Sequence, residues 1–120
     1  GEVGFARAFG VPTYAASAVS TSPLPGGGRV LAVAQSQTPE SAFEGSVLVF
    51  GVGSADTGAS LIQRIPAVGC WGVEAFAMPS TPGAAPDTFV AVAQREKRAP
   101  FSRGDYAGYD QPSSLYRWDR

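Results

Sequence analysis

The sequence predicts an all-β protein made of two copies of one four-stranded antiparallel unit, and three observations predict it. The stretch Asp87 to Gln94, DTFVAVAQ, restates Gly28 to Gln35, GRVLAVAQ, 59 residues upstream. The apolar runs inside these copies, Val30 to Ala34 and Phe89 to Ala93, are too short for a typical helix and rich in β-branched residues. Each therefore reads as a strand buried on both faces. Clusters of glycine and proline, such as PLPGGG and PSTPGAAP, separate the runs and mark loops.

Phe5 to Thr13 (FARAFGVPT) is strand-like, with Pro12 at its end, where no ladder donor is missed. Tyr14 to Ser20 is a short second segment, and Ser22 to Gly28 (SPLPGGG) is a loop. After the strand at Val30 to Ala34, Gln35 supplies a polar side chain as the chain leaves the core. Gln35 to Gly45 is a solvated connection, Ser46 to Val52 (SVLVFGV) restores a strand, and Gly53 to Gly58 (GSADTG) is a turn cluster. The second half repeats the order. Ser60 to Val68 (SLIQRIPAV) carries Ile65-Pro66-Ala67 where the first half carries Val11-Pro12-Thr13. Trp71 to Met78 (WGVEAFAM) alternates as a strand does. A loop from Pro79 to Pro86, the DTFVAVAQ strand and a long polar loop from Arg95 to Pro112 follow. Ser113 to Asp119 (SSLYRWD) closes the unit, its Leu115 to Trp118 taking the place of Val47 to Phe50. The expected units are residues 1–55 and 56–120, each of four strands.

A four-stranded antiparallel unit recurring at this spacing, with Gly/Pro turns and an aromatic near its last strand, is the signature of a β-propeller blade. The alternative architecture is an eight-stranded β-sandwich. Its central strands would alternate between a dry and a wet face, whereas both AVAQ strands here are apolar throughout.

Composition narrows the function classes. A net charge of −1 with nine basic residues gives no clustered basic excess for nucleic acid. No apolar run approaches the roughly 18 residues of a membrane-spanning helix. The chain has no histidine, which removes the commonest general base and metal ligand. Cys70 is the single cysteine, so no internal disulfide forms, and beside Gly69 and Trp71 it reads as a small buried hydrophobe. Gly26-Gly27-Gly28 lacks the Lys-Ser/Thr of a phosphate loop. No catalytic residue, cofactor or metal site is expected.

The second unit closely resembles the EAR repeat, also called EPTP. The resemblance rests on Gln63-Arg64-Ile65-Pro66-Ala67-Val68-Gly69, Trp71 with Glu74-Ala75-Phe76, Thr88 to Gln94, and Ser114-Leu115-Tyr116-Arg117-Trp118. Ala67 replaces the family's Thr, and Cys70 stands where Ala is usual. The first unit keeps Val11-Pro12-Thr13, Val30 to Gln35 and Ser46 to Phe50, but has Tyr14-Ala15-Ala16 in place of the glycine-alanine corner and lacks the aromatic second strand. The resemblance implies propeller blades, an extracellular or cell-surface setting and protein partners. In that family seven repeats close a ring, so two repeats imply a partial propeller or part of a larger ring, completed by further sequence, by copies of the chain or by a partner.

The candidate binding residues lie in the Arg95 to Pro112 loop: Phe101, Tyr106 and Tyr109 as aromatic anchors, Arg103 and Asp105 within an Arg-Gly-Asp tripeptide. Asp105, Asp110 and Asp119 show no calcium-loop spacing. The function expected is a non-catalytic protein-interaction module whose partners are other protein subunits or copies of itself. A structural subunit locked into a large assembly and a glycan-binding, ring-forming lectin are the alternatives.

Overall fold

The structure is a computed structural model that describes residues 4–39, 44–94 and 113–119. Among the described residues it is all-β, with seven strands and no helix. Strands β1 (Ala16–Pro23), β2 (Arg29–Gln35), β3 (Glu44–Ser54) and β4 (Gly58–Val68) form one antiparallel sheet in that order. Strands β5 (Cys70–Pro79), β6 (Pro86–Gln94) and β7 (Ser114–Arg117) form the other. The two AVAQ strands are β2 and β6, each second in its sheet.

Two expectations need correction. Ser60 to Val68 does not open the second sheet; it pairs with β3, Val47 facing Ile65 and Leu48 facing Arg64. The GSADTG cluster is therefore a hairpin turn inside the first sheet, not a boundary between units. Its tip is tied by reciprocal bonds, the Ser54 N–H to the Thr57 hydroxyl at 3.1 Å and the Thr57 N–H to the Ser54 hydroxyl at 3.2 Å. The passage between sheets falls at Gly69. Phe5 to Thr13, expected as a strand, is not one. Phe5 lies fully exposed, and no described strand pairs with its backbone.

The sheets follow one plan, and one device recurs at the same place in both. The Oε1 of Gln35 accepts the Tyr14 N–H at 2.6 Å, and the Oε1 of Gln94 accepts the Val68 N–H at 2.8 Å. The next residue is left-handed in each case, Ala15 at φ 49° and Gly69 at φ 58°. A bulge follows immediately, between Ala16 and Ala18 against β2 and between Cys70 and Gly72 against β6. A glutamine at the end of the AVAQ strand thus pins the corner through which the chain enters the first strand of its sheet. In the first sheet the glutamine is itself fixed, its Nε2 donating to the Ser46 hydroxyl at 3.0 Å.

The register refines the sequence alignment of the last strands. Leu115 faces Ala91 as Val49 faces Ala32, so Leu115 corresponds to Val49 and not to Val47. A slip of two residues keeps each side chain on its expected face. At the start of β3 the backbone of Gly45 lies so close to the Gln35 carbonyl oxygen that any Cβ would overlap it.

Ala15 is the one described non-glycine residue with a positive φ, a conformation costing an L-residue about 1 to 2 kcal/mol. Glycine has no such penalty but loses about 0.5 to 1 kcal/mol of chain entropy. Ala15→Gly is expected to leave stability unchanged or raise it by up to about 1 kcal/mol, whereas Gln94→Leu, which strands the Val68 N–H, lowers it by about 1 to 3 kcal/mol. Urea unfolding of the two variants checks both signs.

Candidate functional site

The five residues proposed from sequence, Phe101, Arg103, Asp105, Tyr106 and Tyr109, lie outside the described residues, as does Asp110. Asp119 is exposed. Among the described residues no group of three or more His, Cys, Asp or Glu side chains is placed to hold a metal ion. The Gly26 to Gly28 run forms the β1–β2 hairpin turn, all three residues at positive φ, with the Leu24 N–H bonded to the Gly28 carbonyl at 3.0 Å. Cys70 is fully buried. Desolvation pushes its thiol above the ordinary value, against a smaller opposing effect of the Gly72 backbone. It packs in the core between the sheets. No helix among the described residues is long and apolar enough to cross a membrane.

What the geometry does build is a pair of unlike flanks. The main core lies between the sheets. The first sheet contributes Val30, Ala32, Ala34, Val47, Val49, Ile65 and Ala67, and the second contributes Cys70, Ala75, Val90 and Val92. By register, Val30, Ala32 and Ala34 correspond to Phe89, Ala91 and Ala93, while Val90 and Val92 correspond to Leu31 and Val33. One sheet therefore offers one face and its neighbour the opposite face, so the packing is head to tail. Polar bonds cross the same interface: the Ala75 N–H donates to the Ser20 hydroxyl at 2.8 Å, and the Thr88 hydroxyl donates to the Pro23 carbonyl at 2.6 Å.

Head-to-tail packing leaves each flank with half of this interface unmade. On the second sheet's outer face, Ala93 is exposed and Leu115 is 54 % exposed, whereas their counterparts Ala34 and Val49 are 0 % and 5 %. The Ala91 and Ala93 region forms a mainly apolar open groove of about 490 Å³ with Gly72, Glu74, Ser114 and Leu115. On the first sheet's outer face, Val19 is 64 % exposed although its counterpart Val73 packs against the main core. That face also carries a small second cluster of Val33, Leu48 and Phe50, with Val11, Leu31 and Ala59 beside it. The expectation that both AVAQ strands are buried on two faces thus holds for β2 and only in part for β6. Sequence reading missed these flanks because an alternating Ala-Val run does not tell which face meets which sheet. The signal that could have found them is the mismatch between the repeats: Ser113 stands where the first sheet has Val47.

Comparisons with known proteins return no match: no family model, no curated protein and no solved structure matches the chain.

The two sides of β6 are expected to respond differently to charge. Val92→Asp buries a carboxylate between the sheets and costs about 3 kcal/mol or more, a large part of a total near 5 to 15 kcal/mol. Ala93→Asp points outward and changes the stability of the isolated chain by about 0.5 kcal/mol or less. Denaturation midpoints of the two variants check the assignment of faces.

Proposed function

We infer that the chain is a non-catalytic protein-interaction module of propeller-blade type, working through the outer faces of its two sheets. The carrying observation is that two sheets of one plan stack head to tail, opposite face to opposite face. A single pair stacked this way presents unlike faces at its two ends, and repetition of it is how radial β-folds grow. A dyad-related sandwich, by contrast, buries like faces together and has no unfilled copy of its own interface. The resemblance of the second unit to EAR repeats points the same way, toward blades whose work is binding protein.

The described residues favour packing surface over chemistry. The glutamines at the strand ends are occupied with backbone N–H groups, the cysteine is sealed, and the polar side chains between the sheets carry the interface. The second sheet's outer face is mainly apolar, with Leu115 and Ala93 on it and Glu74 beside them. An apolar centre with a charged margin is the composition of a protein contact.

The test is sedimentation of the purified chain at micromolar concentration, together with binding of a hydrophobic dye. The wild type is expected to sediment as a multimer or to bind the dye, and Ala93→Asp combined with Leu115→Asp to weaken both signals at least severalfold. A dye-silent wild-type monomer would contradict the proposed function.

A further inference from the structure

We propose that the free edge of β7 is completed by Gly4 to Tyr14 of a second copy of this chain, which adds it as a fourth antiparallel strand. The inference rests on the interaction-module reading and names the partner and the register.

The corner device identifies the donor. Tyr14 and Val68 are equivalent: both give their N–H to a strand-end glutamine, and both precede a left-handed residue and a bulge. Carried back from that point, Gly4 to Tyr14 (GFARAFGVPTY) matches Gly58 to Val68 (GASLIQRIPAV), with glycine at the first position of each, and Val11-Pro12 on Ile65-Pro66. The second of these segments is β4. It forms the outer strand of one sheet and then passes through Gly69 into β5 of the next. The first segment passes in the same way through Ala15 into β1, yet pairs with no described strand. It has the connectivity of an outer strand whose sheet lies elsewhere.

The acceptor has the complementary gap. The second sheet ends at β7, and no described strand pairs with its other edge. The first sheet carries β4 at that place. Transferring the β3–β4 register sets the new pairs: Gly10 opposite Ser114, Phe9 opposite Leu115, Arg7 opposite Tyr116 and Ala6 opposite Arg117. Phe9 and Leu115 would share a face, and both are exposed in the single chain.

The flanks agree with the edges. A second copy that places Gly4 to Tyr14 on β7 must bring its own β1 beside β5, so its outer face, with Val19, meets the groove at Ala93 and Leu115. The polar crossing has its counterpart as well. Ser20 accepts the Ala75 N–H across the sheets, and by register Glu74 stands in the place of Ser20, offering an acceptor to the next copy. Strand addition and face packing therefore demand the same relative placement. Such a contact joins unlike surfaces, and repeated it gives a ring or a filament.

Disulfide trapping tests this in the full chain with Cys70→Ala. Neighbouring antiparallel strands hold facing Cα atoms about 4.5 to 5.5 Å apart, within disulfide reach. Chains carrying Phe9→Cys, mixed with chains carrying Leu115→Cys and mildly oxidised, are expected to give a linked heterodimer at a yield at least severalfold above Phe9→Cys mixed with Thr81→Cys. A Phe9→Cys/Leu115→Cys double variant that closes only within one chain would overturn the second-copy assignment. Absence of the linked dimer from a protein that still sediments as a multimer would overturn the strand assignment and leave the interaction module standing. An unlinked, dye-silent monomer would overturn both.

Discussion

The glutamine-pinned corner is the constraint on which the rest of this structure depends. A strand that ends on the edge of one sheet must turn into the first strand of another, and the turn exposes a backbone N–H that has left its ladder. Gln35 and Gln94 supply the missing acceptor, and the residue that follows adopts a left-handed conformation that redirects the chain. An unpaired N–H at such a point would cost about 1 to 3 kcal/mol. Because the acceptor sits at the end of the neighbouring strand, the corner also fixes which strand the incoming segment lies beside. Topology and register follow from one side-chain amide.

The corner sets the stacking too. The passage at Gly69 carries the chain from the outer edge of the first sheet to the opposite end of the second, so the two sheets relate by repetition and present unlike faces to one another. The alanines make close contact possible. Ala32 and Ala34 have no exposed surface, and β2 packs there against β5, whose Cys70 and Ala75 belong to the same core. In the second sheet the same alanine positions look outward and are partly or wholly exposed. By register Ser113 stands there for Val47, and Glu74 for Ser20.

Much of this was legible in the sequence. The AVAQ repeat located the second strand of each sheet, and Ile-Pro-Ala against Val-Pro-Thr paired the segments that lead into the corners. The substitution of Tyr14-Ala15-Ala16 at the glycine corner was visible as a difference, yet Ala15 adopts the backbone of Gly69 because the bond to Gln35 holds it there. The division into sheets was not legible. GSADTG carries the strongest turn chemistry in the middle of the chain, and nothing local tells a hairpin within a sheet from a boundary between units. Which edge an outer strand joins is decided by hydrogen bonds to residues far along the chain. The proposed binding loop was chosen for its aromatics, whereas the unlike flanks arise from faces that only register assigns.

The head-to-tail relation of the sheets is the central claim, and methyl contacts report it most directly. In nuclear Overhauser spectra of the methyl-labelled protein, Ala32 and Ala34 should show cross-peaks to Val73 and Ala75 within one chain, with none to Ala91 or Ala93 from that same chain. Intrachain cross-peaks from Ala32 or Ala34 to Ala91 and Ala93 would mean that the sheets bury like faces, and would contradict the account.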